Sequence, residues 1–170
     1  MIFTYNKIVK SKNQIDFALK NIDVQLKKRF EALPNLVAVL KKYMSHEKGI
    51  FEKIAELRAA IENSKNRNEK LEAEQALSHL LGGINLTVEN YPELKTNESV
   101  IHLQRSINEY AEQISASQRA YNGAVLSYND SITVFPNNIV AKLFGFSKEE
   151  YISVISNEEE RRNPDLNAIL

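Results

Sequence analysis

Three histidines, His46, His79 and His102, offer imidazole nitrogens that with carboxylates at helical spacing could hold a metal. Helical bundles that bind two irons place Glu-x-x-His on two helices and a glutamate on each of two more. None of the three histidines has a glutamate three positions before it. Glu98 and His102 share a helix face, but one such pair supplies too few ligands. His46-Glu47 lacks the second histidine of His-Glu-x-x-His. Cysteine is absent, which removes disulfides, thiolate metal sites and cysteine nucleophiles. There is no Gly-rich phosphate loop, no Gly-x-Ser-x-Gly elbow and no nucleophile spaced with a base. No catalytic, metal or cofactor-binding residue is therefore assigned.

Polar side chains near apolar faces are better candidates for a site. Tyr121-Asn122 and Tyr128-Asn129 repeat one heptad apart, with the tyrosines in an apolar seam. Buried amides need partners. Those partners are either an opposing helix, which makes the pairs a structural network, or a small ligand or partner protein. Asp23, Arg29, Arg58 and Arg119 also border apolar faces; solvated edges are expected for them, since a long arginine stem can cover the seam while its charge stays wet. Burial of Asp23 or Arg29 would instead imply an ion pair across helices. The candidate polar core or partner site is thus Asp23, Arg29, Tyr121, Asn122, Tyr128 and Asn129.

Apolar spacing defines the elements that must carry these residues. Ile15, Leu19, Ile22, Leu26, Phe30 and Leu33 step by three or four and line one face of a helix over about 4–30. Pro34 lacks an N–H and disfavours helical backbone at Leu33, so the first helix is expected to end there, at the first turn of a bundle, with one long helix kinked at Pro34 as the alternative. A second helix is predicted from Pro34 to Asn63, with Leu36, Val37, Leu40, Tyr43, Met44, Phe51, Ile54 and Leu57 inward. Asn66 and Glu69 have capping-box spacing for a third helix from about Glu69 to Asn90, with Ala76 and Leu77 among its inner residues. Gly82 and Gly83 within it suggest a close helix crossing, with a local bend as the alternative. Tyr91-Pro92 ends that helix, and Thr96 or Asn97 can cap a fourth. There Val100, Ile107, Ile114, Tyr121, Tyr128 and Phe135 recur every seven residues, the period of bundle-like packing, in a helix on the order of 55 Å long. Asn137 or Asn138 can cap a short helix stopped by Gly145, and Ser147 and Glu150 have capping-box spacing again. Phe146 and Tyr151 are expected to fold back over a bundle end.

The fold class read from this spacing is accordingly all-α, with long helices packed as a bundle and a short C-terminal helical extension. One domain is expected over 1–156, followed by a flexible tail at 157–170. Its 170 residues suffice for a sizeable core. With 22 basic and 22 acidic residues, net charge gives no pull toward nucleic acid. No apolar run is long enough to span a bilayer, and the first residues are too short for a signal peptide, so the stretch itself reads as soluble.

Several segments together resemble the bacterial LemA family: Ile22-Asp-Val-Gln-Leu-Lys-Lys-Arg-Phe30, Leu33-Pro-Asn-Leu-Val37, His46-Glu47, Tyr91-Pro-Glu-Leu-Lys95, Leu103-Gln104, the two Tyr-Asn pairs and Phe135-Pro136. The resemblance covers about Tyr5 to Phe146. It implies a four-helix up-and-down bundle with long antiparallel helices, attached to the cell membrane by an N-terminal transmembrane helix. That segment is missing here, and because the pattern starts at Tyr5-Asn6, a trimmed anchor is favoured over a natural absence. Leu19 stands where the family often has tryptophan and can serve the same packing role. The resemblance brings no catalytic residue, substrate or cofactor. It implies a non-enzymatic, membrane-tethered interaction or scaffold module of the cell envelope, with a protein partner or self-association. A bundle that senses a small molecule at the Tyr-Asn pairs, or a metal-dependent enzyme, are the alternatives.

Overall fold

The computed structural model describes residues 1–88 and 90–152, and of 67, 68 and 85–88 the backbone alone. The described residues are all-α, with no strand among them. In chain order the helices are α1 (Ile2–Tyr43), α2 (Lys48–Asn63), α3 (Arg67–Val88), α4 (Pro92–Lys95), α5 (Glu98–Thr133) and α6 (Asn137–Leu143). The flexible tail expected at 157–170 lies outside the described residues.

Helix α1 runs through Pro34 for 42 residues, so the reversal expected at that proline does not occur. A proline inside a helix costs about 3 kcal/mol, by losing one hydrogen bond and crowding the carbonyl four residues back. Pro34 is exposed, while its neighbours Leu33, Leu36 and Leu40 are buried. Burying each of those leucines favours folding by roughly 1.5–3 kcal/mol, so the packed face outweighs the proline. The chain turns instead between Tyr43 and Lys48, which places Ser45 and His46 outside a helix, while Gly49 lies in the first turn of α2.

Two compact units make up the described chain, 1–25 with 113–152 and 26–112, and α1 and α5 contribute to both. In the second unit, the later part of α1, α2, α3 and the first part of α5 share one apolar core. Leu33, Leu40, Met44, Ile54, Leu77 and Val100 are at its centre. Asn66 and Glu69 cap α3: Asn66 Oδ1 accepts from the Glu69 N–H at 3.0 Å, and Glu69 Oε2 accepts from the Lys65 N–H at 2.9 Å. Asn97 rather than Thr96 caps α5, accepting from the N–H groups of Ser99 and Val100. The single-turn α4 was not foreseen; its Leu94 is fully buried and pins the connection to the core. Ala76 is exposed, not inward. A side chain on Gly83 would meet nothing within 4 Å, so close crossing does not explain that glycine.

The first unit is thinner. Its buried residues are Ile8, Ile15 and Ile22 of α1, Ile114, Tyr121, Val125, Tyr128 and Ile132 of α5, and Val140 and Ala141 of α6. The heptad of α5 is therefore buried from Val100 to Tyr128, but Phe135 lies beyond the helix end and is 79% exposed. Pro136 precedes α6 without a side-chain cap, so neither Asn137 nor Asn138 plays the expected role. Gly145, at φ +73°, closes α6. The Phe146 N–H donates to the Ala141 carbonyl at 2.9 Å, the long bond of a Schellman cap.

Candidate functional site

Beyond Gly145 the chain does not start another helix, as Ser147 and Glu150 suggested. Residues 147–152 form a non-helical strap whose backbone is held by the Tyr-Asn pairs of α5. The Tyr128 hydroxyl donates to the Ser147 carbonyl at 2.9 Å. Asn129 makes a reciprocal pair with Glu149, its Nδ2 donating to the carbonyl and its Oδ1 accepting from the N–H, both at 2.9 Å. One heptad earlier, Asn122 pairs in the same way with Ile152, at 2.8 and 3.0 Å. A longer contact of 3.4 Å joins the Tyr121 hydroxyl to the Glu150 carbonyl.

Simple geometry explains the match. A heptad advances about 10.5 Å along a helix, and three residues of extended chain span about 10 Å. Each Tyr-Asn pair thus meets the same two backbone positions, 147 and 149, then 150 and 152. The strap and α5 run in opposite directions. Tyr128 is fully buried and Asn129 nearly so, which keeps these hydrogen bonds out of competition with water on the helix side. Burial raises the Tyr128 phenol above its ordinary value, and the Glu149 charge adds to this while Lys12 opposes it. Glu149 also pairs with Lys12 of α1 at 3.3 Å. Beside the strap, Asn129, Thr133, Lys148 and Tyr151 help line a cleft of about 540 Å³. Phe146 is half-buried with its ring centroid 5.8 Å from that of Tyr5, whereas Tyr151 is exposed and does not fold back as expected.

Arg29 belongs to the other unit. It is buried, not a solvated edge, and forms an ion pair with Glu74 of α3. Its guanidinium also donates to Ser78 Oγ at 2.5 Å and to the Glu74 carbonyl at 3.2 Å. Glu74 and Ser78 were missed. The available signal was the heptad Ile8, Ile15, Ile22, Arg29, Leu36, in which arginine occupies an apolar position, and Glu74 seven residues before Leu81. Asp23 is exposed, so the structure does not bring it together with Arg29 in a buried pair. The Arg58 guanidinium lies 4.4 Å from the Phe30 ring centroid, and exposed Arg119 donates to Ser115 Oγ at 2.7 Å. The three histidines are exposed on separate helices or turns. Among the described residues no group of three His, Asp or Glu side chains could hold a metal.

A further set of contacts ties the connections of the second unit. The Tyr91 hydroxyl donates to Glu47 Oε1 at 3.2 Å, and Asn97 Nδ2 donates to the Tyr43 hydroxyl at 2.9 Å. Desolvation raises the Tyr91 phenol above its ordinary value, and the hydrogen bond and charge of Glu47 add to that shift.

Against this geometry, the LemA family model matches residues 18–167. The chain belongs to the LemA family. It is similar to Protein LemA of Metamycoplasma hominis, with 26% identity over 81% of this chain and 63% of that one. It is also similar to Magnetosome protein MamQ 2 of Paramagnetospirillum magneticum, with 24% identity over 89% of this chain and 65% of the relative. Magnetosome protein MamQ of Magnetospirillum gryphiswaldense is 22% identical over the same shares. This LemA chain spans somewhat less than two thirds of the length of these relatives. Among its described residues no helix is long and apolar enough to cross a membrane. The segments that carry the family resemblance have structural work here: Glu47 and Tyr91 join two connections, Arg29 bridges two helices, and the Tyr-Asn pairs hold the strap.

Proposed function

We propose that this LemA-family chain is a non-enzymatic interaction or scaffold module of the bacterial cell envelope, held at the membrane through its N-terminal side. The observation that carries this reading is the apolar surface where α1 begins and α6 ends. Ile2, Phe3, Ile139 and Leu143 are all more than half exposed there, and Tyr5 meets Phe144 with ring centroids 4.8 Å apart. A large exposed apolar patch marks a membrane or partner contact. The Tyr-Asn side chains of the candidate site support a structural rather than a chemical role, because they hold the chain's own backbone. That occupancy also weighs against a small molecule held at the same atoms.

The test is fractionation of the native, full-length protein from its host, followed by crosslinking and mass spectrometry. Recovery in the membrane fraction with a reproducible protein crosslink is the expected result. Recovery in the soluble fraction would overturn the membrane part. Turnover in an unbiased hydrolase or phosphatase screen, abolished by a single polar core substitution, would overturn the non-enzymatic part.

A further inference from the structure

We propose that the Tyr-Asn ladder of α5 is a receptor for extended polypeptide, occupied in this structure by the chain's own 147–152 segment and open to an acidic segment of a partner protein. The inference rests on the interaction-module reading and names the surface and the partner chemistry.

Three features of the site carry it. The hydrogen bonds from Asn122, Tyr128 and Asn129 to the strap end on backbone carbonyl or N–H groups, so these residues read conformation and not side-chain identity. The helix rise per heptad matches three residues of extended chain, so any extended segment with free N–H groups three residues apart satisfies both asparagines. This is the main-chain recognition by which added strands bind sheet edges, performed here by side chains of a helix. The strap's own side chains contribute little. Lys148, Glu150 and Tyr151 are exposed, and the Lys12–Glu149 ion pair favours an acidic residue at the first asparagine-bound position. Covalent attachment through Gly145 raises the effective concentration of the resident segment, which therefore outcompetes a free peptide of equal intrinsic affinity.

Proline at Glu149 and Ile152 removes the two N–H groups that Asn129 and Asn122 accept, loosening the resident segment while leaving the ladder intact. The probe is a fluorescein-labelled peptide of residues 146–152, Phe-Ser-Lys-Glu-Glu-Tyr-Ile, followed by anisotropy against the full chain. E149P/I152P should bind it about tenfold or more tighter than the native chain, because the tethered competitor is weakened. Adding N122A/N129A to that background should abolish the gain. A peptide of shuffled order that keeps glutamate at its fourth position should bind within about threefold, as backbone recognition requires. Equal binding with and without the two asparagines overturns the proposal, and so does loss of binding on shuffling. Circular dichroism melts establish that each variant is folded.

A second measurement needs no variant. At saturating unlabelled peptide, hydrogen exchange at the Glu149 and Ile152 amides of the native chain should accelerate as the resident segment is displaced. Unchanged protection would overturn the exchange. Failure of these peptide experiments in a protein that still fractionates with membranes and crosslinks to a partner would remove this inference and leave the interaction-module reading standing.

Discussion

The two units of this chain bury polar groups in opposite ways. In 26–112, an arginine and a glutamate sit inside an apolar core shared by four helical segments, and each satisfies the other. In 1–25 with 113–152, polar side chains at the seam face outward onto a strap of the chain's own backbone. The first arrangement joins helices by charge. The second finishes a narrow helix pair by supplying it with a layer of peptide groups. A buried ion pair is sensitive to losing either partner, whereas hydrogen bonds near solvent can be replaced by water.

The largest predicted effect tests the first half of that contrast. Arg29→Ala or Glu74→Ala should destabilise the protein by about 3–5 kcal/mol, because each leaves an uncompensated buried charge. Chemical denaturation monitored by circular dichroism measures the loss. Replacing both residues with apolar side chains, Arg29→Met with Glu74→Leu, should be neutral or stabilising, since Arg29 Nε has no partner among the described residues and the pair bears a desolvation cost. A double variant as unstable as the single ones would mean that the pair contributes more than mutual neutralisation.

Next in size is the ladder. N122A/N129A removes four hydrogen bonds to the strap and should cost about 2 kcal/mol, at the lower end for bonds that water can replace. Hydrogen exchange should show the loss at Glu149 and Ile152 while amides of α2 and α3 keep their protection. Loss of protection in both units would mean that they open together.

Alkaline pH should act on the first unit through Tyr128. Its folded pKa is raised above the ordinary 10.0, so the fold favours the neutral phenol. That stability is fully present below pH 10 and is lost as pH rises through the folded value. Ionisation also removes the hydroxyl proton donated to Ser147. Tyr128→Phe should already lack that bond and show a smaller change in strap exchange above pH 10. An identical response in the variant would exclude this phenol as the cause.

The smallest effect is predicted for Lys12→Ala. Its partner Glu149 and Lys12 itself are both more than one third exposed, so the change should be under about 1 kcal/mol and diminish with salt. A larger loss would show that the strap depends on charge more than on the ladder.

Much of this was legible in the chain. The heptad from Val100 to Tyr128, the Asn66–Glu69 cap and the stop at Gly145 are local consequences of spacing and backbone preference, and they stand in the structure. The Pro34 expectation failed because a local penalty was weighed without the packing of Leu33, Leu36 and Leu40 on the same helix. The six candidate residues divide by surroundings: Arg29 is buried with Glu74, the four Tyr-Asn residues hold the strap, and Asp23 is exposed.

What the sequence determined by itself is the helical class, the family and the faces that face inward, because helix periodicity and capping act between residues a few positions apart. Partner choice belongs to the tertiary structure. Arg29 meets Glu74 across 45 positions, and Asn122 meets Ile152 across 30. Polar side chains at inward positions are compatible with an ion pair, a peptide strap or a ligand until the opposing backbone arrives. Only the folded chain brings those distant groups within hydrogen-bond distance and determines which of them each side chain meets.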